Sequence, residues 1–233
     1  MTFSILACCP ETAQLGMAIA SSSPAVASRC AWARAGVGVV ATQNITDPTL
    51  GPRALDLMAL GASATQAVEI LVSSAAHIDY RQLLVVDARG RTASFSGSQI
   101  LGIAAVSSGP AVIAGGNLLA DPAVIPAMTK AFAAAPSATL GERLLQGLET
   151  GLRVGGEAGP VHSASLLVVE KASWPIVDLR IDWADAAPIA ALRQAWTVYA
   201  PQIGDYVTRA LDPRRAPGYG VPGDSRIGRP DGT

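Results

Sequence analysis

The stretch MTFSILACCPETAQLGMAIASSS, residues 1–23, carries the pattern that decides the fold. Two short apolar runs, FSILACC and LGMAIASSS, flank the segment PETAQ. Apolar runs of this length favour strands, and a proline beside polar residues favours a turn. The sequence therefore predicts an N-terminal β-hairpin, with Thr2 at the mouth of its first strand.

Strand-like and helix-like runs alternate along the rest of the chain. The predicted strands are GVGVVATQN, then QLLVVDA and TASFSG across the turn RGR, then PAVIAGG, SASLLVVE and PIVDLRIDW. The predicted helices are GPRALDLMALG, SATQAVEILVSSAA, DPAVIPAMTKAFAAA, SATLGERLLQGLETGLRVGG and DAAPIAALRQAWTVYAPQIGDYVTRAL. Hairpins that alternate with helix pairs argue against a parallel sheet of βαβ units. They predict an α+β fold in which two antiparallel sheets lie between helical layers.

The composition predicts a large buried core. Half of the 233 residues are hydrophobic and only 15% are charged, whereas ordinary domains carry roughly 25% charged residues. We expect a single domain over residues 1–211, which buries further apolar surface around Trp196 and Tyr199 in a homo-oligomer. From Asp212 the chain becomes rich in proline, glycine and arginine. Residues 212–233 are therefore expected to form a flexible tail or an arm over a neighbour.

Charge and cysteine content exclude several classes of protein. A net charge of −1 provides no field for binding nucleic acid. Cys8, Cys9 and Cys30 lack the spacing of metal ligands and fit a reducing compartment. The N-terminus lacks the basic region of a signal peptide, and no apolar run reaches the roughly 20 residues of a membrane helix. We therefore expect a cytoplasmic protein that does not bind membranes.

Most catalytic signatures are missing from the sequence. It contains no G-x-S-x-G, G-K-[ST] or H-E-x-x-H motif. The run GVGVVA fits a loose G-x-G-x-x-A pattern, but no clear strand precedes it. His77 and His162 lie far apart, and nothing near either supports a serine triad. We expect neither a metal nor an organic cofactor.

Thr2 is the strongest candidate for a nucleophile. Methionine aminopeptidases generally remove Met1 when the next residue is small. The new α-amine would have an ordinary pKa of roughly 7.7–8.0, so its neutral fraction can take the proton from Thr2 Oγ. Nucleophile and base then belong to one residue, which suits a chain with two histidines. The alternative is that Thr2 is only a good strand former.

Seven blocks of the sequence, spread in order over about residues 1–170, resemble the DUF1028 family of bacterial proteins. They are MTFSILA, QLGMAIASSSPAVASRC, WARAGVGVVATQN, GPRALDLMALG, RQLLVVDARGRTASFSG, AGGNLLA and ERLLQGLETGLRVGGEAGPVHSASLLVV. This family is grouped with the N-terminal nucleophile (Ntn) hydrolases. The resemblance therefore implies an Ntn-hydrolase-like αββα four-layer sandwich, and by analogy a nucleophilic Thr2.

One departure concerns the cation near the nucleophile. Proteasome-like relatives place a lysine there, but Lys130 and Lys171 are the only lysines of this chain, and neither lies in the first three predicted strands. Arg29 or Arg34 can supply positive charge instead, although a guanidinium cannot act as a neutral base.

Further site candidates are polar residues at strand ends and in loops. An amide from Gln43 or Asn117 is expected to stabilise an oxyanion, and Arg81 to bind a carboxylate. The other candidates for substrate binding are Ser21, Ser22, Ser23, Arg29, Asn44, Glu157 and His162. The alternative for each is a structural role: turn capping, a loop hydrogen bond or a surface salt bridge.

Three functions fit these residues. The preferred one is hydrolysis of an amide-type C–N bond, linear or cyclic, in a small-molecule substrate. The second is deamination of an enamine or imine of a small carboxylated compound. The third is a non-catalytic binding or assembly protein on the same scaffold, for which retention of Met1 would be the mark.

Overall fold

The computed structural model describes residues 1–224. Its strands are β1 (Thr2–Cys9), β2 (Gln14–Ser21), β3 (Ala31–Arg34), β4 (Gly38–Asn44), β5 (Arg81–Asp87), β6 (Thr92–Ser96), β7 (Ile103–Gly109), β8 (Val112–Leu119), β9 (Ser163–Val169) and β10 (Val177–Ile181). Its α-helices are α1 (Val26–Cys30), α2 (Leu50–Ala59), α3 (Ala64–Ser74), α4 (Val124–Ala133), α5 (Leu140–Val154), α6 (Pro188–Tyr199) and α7 (Ile203–Leu211). Short 3-10 turns cover Ile78–Tyr80 and Ala200–Gln202.

Within the described chain the strands form two antiparallel sheets. The larger sheet has the order β10-β9-β2-β1-β8-β7, and the smaller has the order β3-β4-β5-β6. The predicted hairpin is confirmed, with Phe3 opposite Ala20 and Cys9 opposite Gln14. This hairpin supplies the two central strands of the larger sheet, so both faces of β1 are buried from Thr2 to Cys8.

Helices cover the outer face of each sheet, as the α+β prediction requires. Leu6, Met17 and Leu84 belong to the apolar layer between the two sheets. A second apolar cluster joins the smaller sheet to α2 and α3 through Val40, Leu55 and other side chains. On the larger sheet, glycines of α5 approach β1: a Cβ at Gly147 would meet Ile5 Cδ1 at 2.9 Å. The arrangement is therefore helix, sheet, sheet, helix.

Two strands of the structure are missing from the strands predicted from the sequence. Strand β3, AWAR, is only half-buried, and β7, IAAVSSG, is mostly exposed at the edge of the larger sheet. Edge strands bury less apolar surface than central ones. Their sequences consequently lack the apolar run by which the other strands were predicted.

The chain divides into two compact units, Met1–Arg193 and a smaller unit that begins at Gln194. All ten strands of the described chain belong to the first unit. The predicted boundary between residues 211 and 212 stays a prediction, and residues 225–233 of the expected tail lie outside the described residues. In the part of the chain that the structure describes, no helix combines the length and apolarity needed to cross a bilayer.

Candidate active site

Sheet topology places the start of β1 between the ends of two other strands. Thr2 is opposite Asn117, near the end of β8. On the other side β2 ends at Ser21, directly after the residue that pairs with Phe3. Antiparallel neighbours bring the start of one strand to the ends of the next. Three polar residues that are far apart in sequence therefore share one edge of the sheet, and all three are buried.

The carbonyl oxygen of Met1 is bound by two hydroxyl groups. It accepts hydrogen bonds from Thr2 Oγ1 and from Ser21 Oγ, the latter at 2.5 Å. The two hydroxyl oxygens are 3.3 Å apart. A hydroxyl that donates to a carbonyl oxygen, as Ser21 does here, is the kind of donor that stabilises an oxyanion during acyl transfer.

A chain of hydrogen bonds orients the Ser21 hydroxyl. Arg29 Nη2 donates to Ser23 Oγ at 3.2 Å, and the Ser23 and Ser21 hydroxyl oxygens are 2.9 Å apart. Ser21 carries one hydroxyl proton, which is used on Met1, so Ser23 must be the donor between the two serines. The Ser23 backbone N–H also donates to Ser21 Oγ at 3.1 Å. A guanidinium thus polarises the Ser21 hydroxyl through one intervening serine.

Glu157 is a buried carboxyl beside these serines. Its Oε2 accepts a hydrogen bond from the Ser22 backbone N–H at 3.1 Å. Its Oε1 is buried and finds no donor within residues 1–224. Burial raises the pKa of Glu157 to about 7, although the α-ammonium of Met1 and the bonds from Ser22 lower it. The carboxyl therefore sits where it can gain or lose a proton near neutral pH.

Four buried polar side chains form a network behind Thr2. Gln43 Oε1 accepts from Ser4 at 2.9 Å, and Gln43 Nε2 donates to Gln82 Oε1 at 2.7 Å. Gln82 Oε1 also accepts from Asn117 Nδ2 at 3.2 Å. The orientation of Gln82 is determined, because its Nε2 donates to the carbonyl oxygen of Gly116, which can only accept.

This network decides which end of Asn117 is available. Because Gln82 Oε1 can only accept, the Asn117 group that lies 3.2 Å from it must be the NH₂ group. Its Oδ1 is consequently an unpaired acceptor with no donor in the described part of the chain. A buried acceptor without a donor lowers the stability of the folded protein by roughly 1–3 kcal/mol. Such a group requires an explanation, and a ligand that donates to Asn117 Oδ1 would provide one.

The candidate residues separate into those near Thr2 and those used elsewhere. Ser21, Ser23, Arg29, Asn117 and Glu157 lie around Thr2 or are linked to it by the contacts above, and Ser22 contributes its backbone N–H. Gln43 has partners at both ends of its amide and reaches Asn117 only through Gln82.

Three candidates make loop contacts. Asn44 has a left-handed backbone (φ 73°) and bonds the backbone of Tyr80 and Leu101, while Arg81 donates to the Ile45 carbonyl. The His162 ring stacks on Trp183 and has Nδ1 2.9 Å from the Ala184 carbonyl oxygen. Its backbone N–H donates to the Ser21 carbonyl.

Sequence reasoning missed Ser4, Gln82 and Ser163. Ser163 Oγ donates to the Ser23 carbonyl at 2.7 Å and accepts from the Val26 N–H, so it fixes the turn after β2. All three are fully buried polar residues within or at the start of apolar strands. A polar residue in a strand with two covered faces was the available signal, because such a group must find a partner inside the protein.

No cluster of three histidine, cysteine, aspartate or glutamate side chains suited to a metal occurs in residues 1–224. The site therefore offers hydroxyls, an amide oxygen, a carboxyl and a nearby guanidinium. Such groups can bind and polarise a carbonyl compound and can move protons.

A family model matches residues 2–192, and its description is a family of unknown function, DUF1028. The chain belongs to DUF1028. The matched region contains every candidate site residue, and it begins at Thr2. The resemblance of the seven sequence blocks to this family is thereby confirmed.

Among solved structures, the DUF1028 protein SPO2555 from Silicibacter pomeroyi is similar to this chain. The two are 33% identical, and the alignment covers 88% of this chain and 89% of the other, with a TM-score of 0.81. A search of curated proteins found no match. The DUF1028 fold is therefore shared over most of both chains.

Proposed function

We propose that this DUF1028 protein hydrolyses amide-type C–N bonds of a small molecule, with Thr2 as an N-terminal nucleophile of the Ntn type. The active form is the one whose chain begins at Thr2. The observation that carries the proposal is the carbonyl oxygen bound by Thr2 Oγ1 and Ser21 Oγ. It supports a site in which one hydroxyl attacks a carbonyl carbon while the other stabilises the resulting oxyanion.

The proposed reaction needs only Thr2 and one water molecule. Thr2 Oγ adds to the carbonyl carbon, and its proton passes to the α-amine of Thr2. The C–N bond then breaks, and the leaving amine takes that proton. Water attacks the acyl ester, which releases a carboxylic acid and returns the proton to Thr2 Oγ.

The remaining residues have supporting roles. Ser21, polarised by Ser23 and Arg29, donates to the oxyanion. Asn117 is paired with Thr2 between β1 and β8. Its unpaired Oδ1 can accept a hydrogen bond from an N–H of the Thr2 α-amine, which directs the amine lone pair towards Oγ. Gln43 and Gln82 are positioning residues, because they hold the orientation of Asn117.

The experiment compares chains released from one fusion partner, cut either before Thr2 or before Met1, with the N-terminus verified by intact mass. Ammonia release is measured on small primary amides. The chain that begins at Thr2 should be active, and Thr2→Ala should reduce kcat/KM by roughly 10³-fold or more, while Thr2→Ser keeps part of it. Equal activity of Thr2→Ala, or full activity with Met1 retained, would exclude the nucleophile.

A further variant tests the oxyanion donor. Ser21→Ala should lower kcat by about 10²-fold. Ser165→Ala is the matched control, because this buried serine of β9 has no hydrogen-bond partner for its hydroxyl among the described residues. If both variants lost activity equally, Ser21 would be only a packing residue.

Glu157 supports a second candidate, deamination of an enamine or imine. A carboxyl with a pKa of about 7 can donate a proton to an enamine carbon at neutral pH. Water then adds to the iminium carbon and returns a proton to the carboxylate, and the carbinolamine breaks its C–N bond to give a carbonyl compound and ammonia. This reaction does not need Thr2 Oγ. A deaminase should therefore keep its activity in Thr2→Ala and lose it in Glu157→Gln, whereas the amidase should lose its activity in Thr2→Ala.

A further inference from the structure

Met1 occupies the space beside Thr2 in a defined way. Its carbonyl lies on Thr2 and Ser21, as described above, and its side chain passes close to Gly159. A Cβ at Gly159 would lie 2.9 Å from Met1 Cε and 3.5 Å from Met1 Sδ. The residue is thus bound at its carbonyl and along its side chain.

The α-ammonium of Met1 makes no ion pair with Glu157, but it is close enough to interact with this carboxyl electrostatically. The α-ammonium acts electrostatically on the Glu157 carboxyl and favours its ionised form. Glu157 is 4% exposed, and its Oε1 finds no hydrogen-bond donor in residues 1–224. A buried carboxylate oxygen without a donor is a ready acceptor for a cationic N–H group.

An acyl group on Thr2 Oγ would start from nearly the same place as Met1. Met1 is joined to the Thr2 nitrogen through its carbonyl carbon, and the nitrogen and Oγ of one threonine are three bonds apart. Removal of Met1 therefore leaves a space with a carbonyl site at Ser21, a cation acceptor at Glu157 and a glycine-lined wall at Gly159.

We infer that this space is the acyl subsite, and that it takes the acyl group of an α-amino acid amide with a free ammonium group. This inference rests on the proposed function, because it treats Met1 as occupying the position of the substrate acyl group. The substrate ammonium binds the free Oε1 of Glu157, its carbonyl faces Thr2 and Ser21, and an unbranched side chain runs along Gly159.

Calorimetric binding to an inactive chain tests the inference without turnover. The protein is the Thr2→Ala variant cut before residue 2, and the probes are L-methioninamide and N-acetyl-L-methioninamide. The free amine should bind about thirtyfold tighter or more than the acetylated probe. Equal affinities for the two probes, or no binding of either, would overturn the inference.

Three controls locate the binding. Glu157→Gln should remove most of the preference for the free amine, whereas Glu69→Gln, on an exposed carboxyl of α3, should keep it. The Thr2→Ala chain that retains Met1 should not bind L-methioninamide, since its own Met1 fills the space. A preference unchanged by Glu157→Gln, or equal binding with Met1 in place, would contradict the assignment.

Gly159→Ala tests where the ligand side chain lies, because it adds a methyl group at Gly159 without removing a charge. The added methyl should weaken L-methioninamide and leave glycinamide unchanged, because only the former places a side chain there. Equal weakening of both ligands would contradict the position of the side chain.

The two proposals fail in different ways. If L-methioninamide binds with these preferences but the chain beginning at Thr2 never hydrolyses it or another amide, the subsite stands and the hydrolase fails. If other amides are cleaved in a Thr2-dependent way without any preference for a free amine, the hydrolase stands and the subsite fails.

Discussion

Two buried carboxyls lie in the same unit of the fold but in opposite chemical situations. Asp87, at the end of β5, is 3% exposed, and Glu157 is 4% exposed. Asp87 accepts hydrogen bonds from the backbone N–H groups of Ala64, Arg89 and Arg91 and from Arg91 Nε at 2.7 Å. Glu157 has donors from Ser22 alone, and all of them leave its Oε1 without a partner.

The pKa values of the two carboxyls differ in direction, and the donors contribute to this difference. Burial raises the pKa of both groups, but in Asp87 the bonds from Ala64 and Arg91 outweigh it and lower the pKa. In Glu157 burial dominates and raises the pKa to about 7. Low solvent exposure alone therefore does not make a site. The supply of donors helps to distinguish a carboxyl that stabilises a turn from one that can bind a ligand.

The largest effect on stability is expected from Asp87→Ala. It leaves three backbone N–H groups without their acceptor, so the free energy of unfolding should fall by about 3–4 kcal/mol. Urea unfolding measures this loss. Amide hydrolysis by the folded protein should be unchanged. Asp87→Asn, which keeps one acceptor oxygen, should lose less, and equal losses would mean that the acceptor bonds carry little of the stability.

The raised pKa of Glu157 predicts that the protein becomes less stable as the pH rises. A carboxyl whose pKa is lowered by its donors, such as Asp87, has the opposite effect. Between the ordinary pKa near 4.5 and the folded value of about 7, the unfolded chain has lost the proton while the folded chain keeps it. Raising the pH therefore favours unfolding, by up to about 3 kcal/mol across this window, with no further loss above it.

Glu157→Gln removes this titration. In chains that retain Met1, the difference in unfolding free energy between wild type and Glu157→Gln should move in favour of the variant from pH 5 to pH 8. Denaturant unfolding across that range measures the difference. Parallel curves would show that Glu157 is not kept protonated by burial, and the contrast with Asp87 would disappear.

Gln82→Leu tests whether the amide network only stabilises the fold, as Asp87 does, or also serves the candidate site, as Glu157 does. The substitution removes the acceptor of the Gln43 and Asn117 NH₂ groups and one donor to the Gly116 carbonyl, and we expect the free energy of unfolding to fall by about 2 kcal/mol. Because Asn117 also loses its orientation, kcat should fall. A variant with normal kcat and lower stability would make the network purely structural.

The smallest effect is expected from Arg91→Ala. Its guanidinium pairs with Asp87 but is about half-exposed, so solvent weakens the pair, and the loss should be about 1 kcal/mol or less. The backbone donors keep Asp87 ionised. A loss as large as that of Asp87→Ala would show that the ion pair, and not the turn, holds this carboxyl.

The sequence by itself determined the fold class and the position of Thr2 at the start of the first strand. The runs FSILACC and LGMAIASSS could be recognised because strand periodicity and turn chemistry act between neighbours in the chain. The N-terminus of α3 is determined equally locally, since Ser63 forms a capping box with Gln66. Polar residues at strand ends, such as Ser21 and Asn117, were found as candidates on this local basis.

Only the tertiary structure decided what those residues can do. The distance from Thr2 to Ser21, the orientation of Asn117 towards Gln82 and the bond from the Ser22 N–H to Glu157 all depend on contacts between segments 19 to 135 residues apart. Local patterns contain no information on such pairings. Burial and partner count, which separate Glu157 from Asp87, arise only when the sheets and loops meet.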